Sequence, residues 1–172
     1  MFPEPTKPGH TMLCIGASGD WTKEMYNKIR APCNRPVYVL GPFRSEFSDT
    51  AVDTRNAIAI ASGIGITPTL SLMLSYAKKK RINIIWMCRD PGLIEYFLHK
   101  VDFSEVTKKS FALVFYTGKR DLVLPSKMPP NFFIFRSRPD LEEAISGIVT
   151  AIESKEGLPE EICKLDCIVP PS

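Results

Sequence analysis

The chain has 172 residues with a net charge of +3, and 44% of its residues are hydrophobic. This length fits one domain, or one domain with a remnant of another, and the apolar share is ordinary for a soluble globular protein. No apolar run approaches the ~18–20 residues that a membrane span needs, and the N-terminus has no signal-peptide pattern. The five cysteines form no Cys-x-x-Cys pair and the two histidines lie far apart, so we expect reduced thiols in a cytosolic setting, no metal site and no Ser-His-Asp triad.

The N-terminal part of the chain predicts little regular structure. Its first eight residues carry three prolines and are typical of a linker or a fraying end. The further predicted elements are a strand over 11–16, a helix over 22–29, a loop over 31–36, a strand over 37–40 that Gly41-Pro42 ends, and a polar segment with a short helical piece over 45–55.

From residue 57 onward, strands and helices alternate. The predicted strands cover 57–61, 82–88, 111–116 and 131–136, the predicted helices cover 67–79, 91–100 and 140–153, and a final strand is predicted over 165–169. This alternation implies right-handed crossovers and a mainly parallel sheet, so the fold class is α/β. The basic cluster Lys78–Arg81 ends the first of these helices, where cations complement the helix dipole, and we expect no nucleic-acid binding from it.

The most informative stretch is the glycine turn between the strand over 57–61 and the next helix. The strand breaks at Gly63-Ile64-Gly65, and a helical pattern starts at Thr67-Pro68. Backbone N–H groups and the positive end of the helix dipole converge in such a turn, so it can bind a pyrophosphate. Glycine lets the backbone approach a ligand closely, and proline suits the first helical turn. An ordinary βα turn is the alternative, which the Thr-Pro pair disfavours.

Arginines follow two of the predicted strands. The strand over 82–88 ends in Cys88-Arg89-Asp90, and the strand over 131–136 runs into Arg136 and Arg138. Because ligands bind beyond the carboxyl ends of parallel strands, Arg89 and Arg138 predict a convergent site for a dianion such as a ribose 2′-phosphate. Asp90 has two interpretations: it pairs with Arg89, or it caps the following helix.

Two N-terminal segments are weaker candidates. Gly19-Asp-Trp-Thr22 places a hydroxyl and free amides at a helix start, where simple N-capping is the default and a second anion site is the alternative. Gly41-Pro42-Phe43 is a tight turn that carries an aromatic ring. Turn chemistry alone explains it, and a ring stacked on a cofactor is the functional interpretation.

Five motifs in this order resemble the dehydrogenase domain of NADPH oxidases and ferric-chelate reductases, which belong to the ferredoxin–NADP reductase superfamily. They are Gly19-Asp-Trp-Thr22, Gly41-Pro42-Phe43, Gly63-Ile-Gly-Ile-Thr-Pro68, Trp86-Met-Cys-Arg-Asp90 and Arg138-Pro139-Asp140. The resemblance runs from about Gly19 to Ile148. It implies a Rossmann-like fold with a mainly parallel sheet and helices on both faces. Residues 41–172 would form the NADPH-binding domain, and residues 1–40 the tail of an FAD-binding barrel with its linking helix.

The resemblance also implies roles for individual residues. The cofactor-binding positions are Gly63, Gly65, Thr67 and Pro68 at the NADPH pyrophosphate, Arg89 and Arg138 at the 2′-phosphate with Cys88 and Pro139 beside them, Trp21 and Thr22 near the FAD diphosphate, and Gly41, Pro42 and Phe43 near the flavin–nicotinamide junction. We expect no catalytic side chain, because hydride transfer needs only the nicotinamide ring stacked on the flavin at ~3–3.5 Å.

The chain departs from the family pattern in three places. The His-Pro-Phe-Thr motif of the flavin-binding barrel is not in the sequence, the terminal Cys-Gly-Pro is replaced by Cys167-Ile-Val-Pro, and Arg44 stands where glycine is more common. We therefore expect weak NADPH binding and poor FAD binding by this chain alone.

The resemblance implies the NADPH-binding lobe of a larger membrane flavocytochrome. Electrons would pass from NADPH through FAD and haem to oxygen or ferric iron, with the lobe on the cytosolic face of the membrane. Its partners would be the FAD-binding domain and the transmembrane haem domain of the same protein. The alternatives are a lobe of a soluble flavin reductase, related to cytochrome b5 reductase, and a nucleotide-binding module without turnover.

Overall fold

A computed structural model describes residues 1–4, 6–41, 43, 49, 53–76, 78–155, 157–159, 162 and 167–168. The elements in chain order are β1 (Phe2–Pro3), β2 (Thr11–Met12), α1 (Asp20–Lys28), β3 (Asn56–Ser62), a 3-10 turn (Gly63–Gly65), α2 (Ile66–Tyr76), β4 (Arg81–Cys88), α3 (Pro91–Lys100), α4 (Ser104–Thr107), β5 (Ala112–Tyr116), β6 (Phe132–Phe135) and α5 (Leu141–Ser154). No helix in this described part of the chain has the length and apolarity to cross a membrane.

Strands β3 to β6 form one parallel sheet in sequence order. Each strand pairs with the next along the chain, with Ile60 opposite Ile85 and Leu113 opposite Phe133. Parallel sheets of this kind are covered on both faces, so their strands are apolar throughout, and every residue of β5 and β6 is buried. The four predicted strands and the α/β class are therefore confirmed.

Helices cover both faces of the sheet, as predicted. Because successive strand residues point to opposite faces, Trp86 of β4 packs in a core with α2, α3 and α4, whereas Ile85 packs in a second core with α5. Phe97 of α3 meets the Trp86 ring edge-on at 6.0 Å. The second core includes Phe133 and Ile148, both almost fully buried. Burial of these apolar side chains supplies most of the driving force for the layered fold.

Aspartates begin the two helices that follow β4 and β6. Oδ1 of Asp90 accepts hydrogen bonds from the backbone N–H groups of Gly92 at 2.9 Å and Leu93 at 3.3 Å, which starts α3. Oδ1 of Asp140 accepts from Glu142 and Glu143 in the same way and starts α5. Asp90 therefore caps its helix, with no ion pair to Arg89 in the described structure.

Two predictions for the N-terminal part are wrong. Phe2 does not lie in a fraying linker: it is 1% exposed and packs against Phe97, with ring centroids 5.8 Å apart. Proline-rich composition predicted a loose end, but one buried aromatic side chain and the β1–β2 pairing hold it in place. The strand predicted over 11–16 is reduced to Thr11–Met12.

The strand predicted over 37–40 is also wrong. These four residues have no strand conformation, and their side chains are largely exposed, with Tyr38 and Leu40 among the most exposed apolar residues of the chain. Apolar and β-branched composition favours a strand only where a partner strand pairs with it, and none of the described strands does. Of the final predicted strand, Cys167 forms one antiparallel bridge to Phe135. Most of that strand, most of the polar segment predicted over 45–55, Arg44 and Pro42 lie outside the described residues.

Candidate functional site

Four turns leave the sheet at the carboxyl ends of its strands, along one edge. They follow β3 at Gly63, β4 at Arg89, β5 at Thr117 and β6 at Arg136. Because the strands are parallel and adjacent strands lie ~4.8 Å apart, these turns form one continuous rim. Residues that are distant in sequence therefore meet there.

A side chain of the neighbouring strand β4 holds the glycine turn after β3 in its conformation. Gly63 has a φ of 49°, in the left-handed region that favours glycine. Its carbonyl oxygen accepts a 2.9 Å hydrogen bond from Nε1 of Trp86, which is buried in β4. A Cβ added at Gly63 or Gly65 would meet no heavy atom within 4 Å, so the space beside the turn is open. At Gly65, whose backbone is unstrained, the missing side chain leaves room for a ligand.

Helix α2 starts directly after this turn. The backbone N–H of Ile66 donates to the carbonyl of Gly63, and Thr67 and Pro68 lie in the first helical turn. The 3-10 turn therefore takes up the first N–H of α2, and the helix dipole places positive potential at the same point. The strand, glycine turn and helix start thus follow one another as the sequence predicts, and the pyrophosphate site expected there stays a prediction.

Arg89 and Arg138 line a single cleft of about 520 Å³ beyond β4, β5 and β6, here called the cationic cleft. Its lining residues are Arg89, Tyr116, Thr117, Gly118, Lys119, Arg136, Ser137 and Arg138. Four of them are cations, and no acidic side chain lines the cleft. Arg136 pairs with Asp121. By contrast, no ion pair to Arg89, Lys119 or Arg138 occurs within the described part of the chain. The cleft therefore presents uncompensated positive charge.

A buried hydroxyl group lies at the wall of this cleft. Oγ of Ser137 is inaccessible to solvent and has no hydrogen-bond partner among the described residues. A buried polar group without a partner costs about 1–3 kcal/mol, so such groups are uncommon and usually have an explanation. Ser137 stands between Arg136 and Arg138, so its buried O–H lies beside two of the cations that line the cleft. Sequence reasoning did not select this residue, because its burial depends on the fold.

The turn after β5 is the other feature that sequence reasoning missed. The backbone N–H of Thr117 donates to the carbonyl of Cys88 at 3.0 Å, and Gly118 lies so close to Tyr116 that an added Cβ would overlap its ring. The hydroxyl of Tyr116 donates to the carbonyl of Arg120, so the chain folds back over this ring. Lys119 is thereby brought into the cationic cleft. Inspection of the residues that follow each predicted strand, including the strand over 111–116, would have identified Lys119 from the sequence.

Cys88 and Pro139 are near the cleft but are not among its lining residues. Cys88 is 3% exposed in the core under α2 and α3, and its Sγ donates to the carbonyl of Asp90 at 3.4 Å. Burial raises the pKa of this thiol, so it stays protonated at neutral pH and is a poor nucleophile. This agrees with a cofactor site that uses no cysteine chemistry.

The N-terminal candidates do not line the cationic cleft. Oγ1 of Thr22 accepts hydrogen bonds from the N–H groups of Ser18 and Gly19 at 3.1 and 3.0 Å, so its hydroxyl serves the start of α1. Trp21 is 68% exposed, and α1 buries none of its residues. Phe43 is likewise exposed, and Gly41 has a φ of 142°. Capping therefore accounts for Thr22, while both aromatic rings are accessible to a binding partner.

Comparison with known proteins identifies the family. Residues 54–157, more than half of the chain, match the ferric reductase NAD-binding domain. NADPH oxidase 3 of Rattus norvegicus is 33% identical over 101 residues, which cover 48% of this chain and 18% of that protein. NADPH oxidase 1 of Mus musculus is 29% identical over 96 residues, 48% of this chain and 16% of that protein. Ferric reduction oxidase 8 of Arabidopsis thaliana, a mitochondrial protein, is 35% identical over 78 residues, 41% of this chain and 11% of that protein.

The chain thus spans less than a fifth of the length of these relatives. The matched range begins just before β3 and ends just after α5, so it contains the whole parallel sheet with its glycine turn and cationic cleft. The chain belongs to the ferric reductase NAD-binding domain family.

Proposed function

We propose that this chain is the NADPH-binding lobe of a larger membrane flavocytochrome of the NADPH oxidase and ferric reductase type. The observation that carries the proposal is the cationic cleft, which Arg89 and Arg138 both line with no acidic side chain among the lining residues. Two guanidinium groups suit a dianionic phosphate ester, and NADPH differs from NADH by such a group on its ribose. The glycine turn lies on the same rim and suits the pyrophosphate.

The residues of this chain would hold and orient the cofactor. Gly63 and Gly65 let the backbone approach the pyrophosphate, and the start of α2 at Thr67 and Pro68 directs positive potential toward it. NADPH, when bound, supplies a hydride to a flavin. No side chain of the described rim needs to move a proton for that transfer, which agrees with a protonated, buried Cys88.

The remainder of the electron path belongs to the proposed parent protein. The names of the matched relatives refer to NADPH oxidation and to ferric iron reduction, which supports this branch over a soluble flavin reductase or a module without turnover. In the parent, an FAD-binding domain would accept the hydride, and transmembrane haem groups would pass electrons to oxygen or ferric iron. The lobe would then lie on the cytosolic face of the membrane. Trp21, Thr22 and the turn from Gly41 through Pro42 to Phe43 would contact the FAD-binding domain or its flavin.

Calorimetric titration tests the proposal directly. The purified chain is titrated with NADPH, NADH and 2′-phospho-ADP-ribose, beside the variants Arg89→Ala and Arg138→Ala. We expect both 2′-phosphorylated ligands to bind more tightly than NADH, and each variant to weaken them by about tenfold or more, since hydrogen bonds to charged groups contribute ~1.5–3 kcal/mol. Arg55→Ala, an exposed arginine before β3, is the matched control and should change nothing.

Two outcomes would contradict the proposal. Equal affinity for NADPH and NADH would show that the cleft does not recognise the 2′-phosphate. If Arg55→Ala lost as much affinity as Arg138→Ala, the net charge of the chain, and not a specific site, would explain the effect. A tightly bound yellow flavin in the purified chain would contradict our expectation that most of the flavin site lies in the FAD-binding domain. Oxygen consumption or ferric reduction after the FAD-binding domain is added tests the electron path separately.

A further inference from the structure

We propose that Lys119 is a third binding group for the 2′-phosphate, and that Glu95 of α3 is the positioning residue that holds its loop in place. This inference rests on the proposed NADPH function and names a specificity determinant that lies outside the two arginine motifs. The loop in question covers residues 117–124 and is here called the clamp loop.

Glu95 bonds the clamp loop at two points. Its Oε2 accepts from Nη2 of Arg120 at 2.8 Å, and its Oε1 accepts from the backbone N–H of Val123 at 2.7 Å. The two carboxylate oxygens therefore hold the loop at two positions, Arg120 and Val123. The partners are 25 and 28 residues from Glu95 in sequence, so these are tertiary contacts that fix the loop against α3.

Two further contacts hold the same loop on its other sides. The hydroxyl of Tyr116 donates to the carbonyl of Arg120, and Nη2 of Arg136 donates to Oδ1 of Asp121. Together with Glu95 these bonds connect the loop to α3, to the end of β5 and to the end of β6. A loop with fixed points on three elements presents its remaining side chains in a defined direction, which is the requirement for a preorganised binding group.

The cations of this region divide into two groups. Arg120 and Arg136 have carboxylate partners, namely Glu95 and Asp121. Lys119 has no ion pair or hydrogen bond within the described structure, yet it lines the cationic cleft with Arg89 and Arg138. The paired arginines thus shape the loop, while the lysine ammonium is available to an anion. A flexible ammonium group with three donors adapts readily to a phosphate that two planar guanidinium groups already orient.

Glu95 suits a positioning role because little of it reaches solvent. Its side chain is 16% exposed, while that of Arg120 is 52% exposed. The hydrogen bond from Arg120 and that from Val123 lower the pKa of Glu95, so the carboxylate is ionised at neutral pH. Glu95 is not among the residues that line the cleft, so it would act on the phosphate only through the loop.

The test compares two ligands that differ only in the phosphate. Calorimetry measures the dissociation constants of 2′-phospho-ADP-ribose and ADP-ribose, and their ratio is the phosphate preference. We expect Lys119→Ala to lower this preference about tenfold, with ADP-ribose affinity unchanged, and Glu95→Gln to lower it severalfold. Lys109→Ala, which removes an exposed lysine that does not line the cationic cleft, and Glu105→Gln, which removes an exposed carboxylate paired with Lys108, are the matched controls.

The double variant separates positioning from general damage. If Glu95 acts through Lys119, then Glu95→Gln in the Lys119→Ala background leaves the phosphate preference unchanged, because the two effects are not additive. Additive losses, or an equal loss of affinity for both ligands, would overturn the positioning role. If Lys119→Ala kept the same phosphate preference as the wild type, the inference would be overturned while the proposed function remained intact. A wild-type chain without any preference would instead overturn the proposed 2′-phosphate site itself, and this inference with it.

Discussion

Nε1 of Trp86 donates a hydrogen bond of 2.9 Å to the carbonyl oxygen of Gly63, and so joins the buried centre of the sheet to the glycine turn. The Trp86 side chain is 2% exposed and packs between the sheet and helices α2 and α3. Gly63, by contrast, lies on the rim where we propose that the pyrophosphate binds. The carbonyl is thereby turned inward. A buried core residue thus makes a side-chain hydrogen bond that holds the glycine turn in its conformation.

Replacement of Trp86 by phenylalanine should remove the hydrogen bond to the glycine turn while keeping an aromatic ring in the core. The variant loses the donor for the Gly63 carbonyl and part of the ring volume, so we expect the free energy of unfolding to fall by about 2–4 kcal/mol. NADPH and NADH affinities should fall together, because both share the pyrophosphate. Urea unfolding and calorimetry measure the two effects. Trp21→Phe, at an exposed position, is the control, and a loss of NADPH binding alone would argue against this role of Trp86.

The two glycines of the turn should respond differently to alanine. Gly63 has a positive φ of 49°, so Gly63→Ala strains the backbone and should destabilise the fold by ~1–2 kcal/mol. Gly65 has no such strain and no neighbour within 4 Å, so Gly65→Ala should leave the unfolding free energy unchanged or slightly raised. Its Cβ would nevertheless stand where the ligand approaches.

Nucleotide titration separates these effects at the same two positions. We expect Gly65→Ala to lose NADPH affinity at full stability, which would be the signature of a residue kept small for a ligand. Unchanged NADPH affinity in Gly65→Ala, confirmed by a normal unfolding curve, would show that the open space beside the turn is not used.

The sequence predicted which residues share this rim of the sheet because the signals for them are local. Gly63-Ile-Gly-Ile-Thr-Pro68 is one contiguous motif, and Arg89 and Arg138 directly follow apolar strands whose carboxyl ends must share an edge. The sequence did not predict Ser137 or Lys119, because their positions depend on the tertiary structure. Ser137 is notable for the burial of its Oγ, and Lys119 lies on a loop that folds over Tyr116.

The wrong predictions have a similar origin. Residues 37–40 have the composition of a strand, but a strand requires a paired neighbour, which composition does not reveal. Phe2 lies in a proline-rich segment, yet its contact with Phe97 across 95 positions of sequence buries it. Single buried aromatic contacts of that kind leave no periodic signal.

Gly118, the one glycine of the clamp loop, should not tolerate a side chain. A Cβ at this position would overlap the ring of Tyr116, which is fully buried and hydrogen-bonded to Arg120, so neither partner can move freely. We expect Gly118→Ala to lower the free energy of unfolding by about 1–3 kcal/mol and to displace the loop. Thermal unfolding measures the loss of stability, and a lower phosphate preference would report the displaced loop. Gly16→Ala, with no atom within 4 Å of its Cβ, should be silent, and equal stability of the two variants would disprove the close approach.

The bonds of Glu95 should give the clamp loop a defined pH dependence. Hydrogen bonds from Arg120 and Val123 lower the pKa of Glu95 below its ordinary value of 4.5. A carboxyl group whose pKa is lower in the folded state binds fewer protons there than in the unfolded state, so its contribution to stability is present above 4.5. That contribution is lost as the pH falls through the lower folded pKa.

Glu95→Gln removes this contribution at every pH. The melting temperature of the variant should therefore lie below that of the wild type at neutral pH, and the two should converge as the pH falls below 4.5, where protonated Glu95 resembles glutamine. Calorimetric scans from neutral to acidic pH measure the difference. Glu105→Gln, at an exposed ion pair, should run parallel to the wild type throughout. A constant gap between Glu95→Gln and the wild type, undiminished in acid, would mean that the carboxylate charge does not hold the loop.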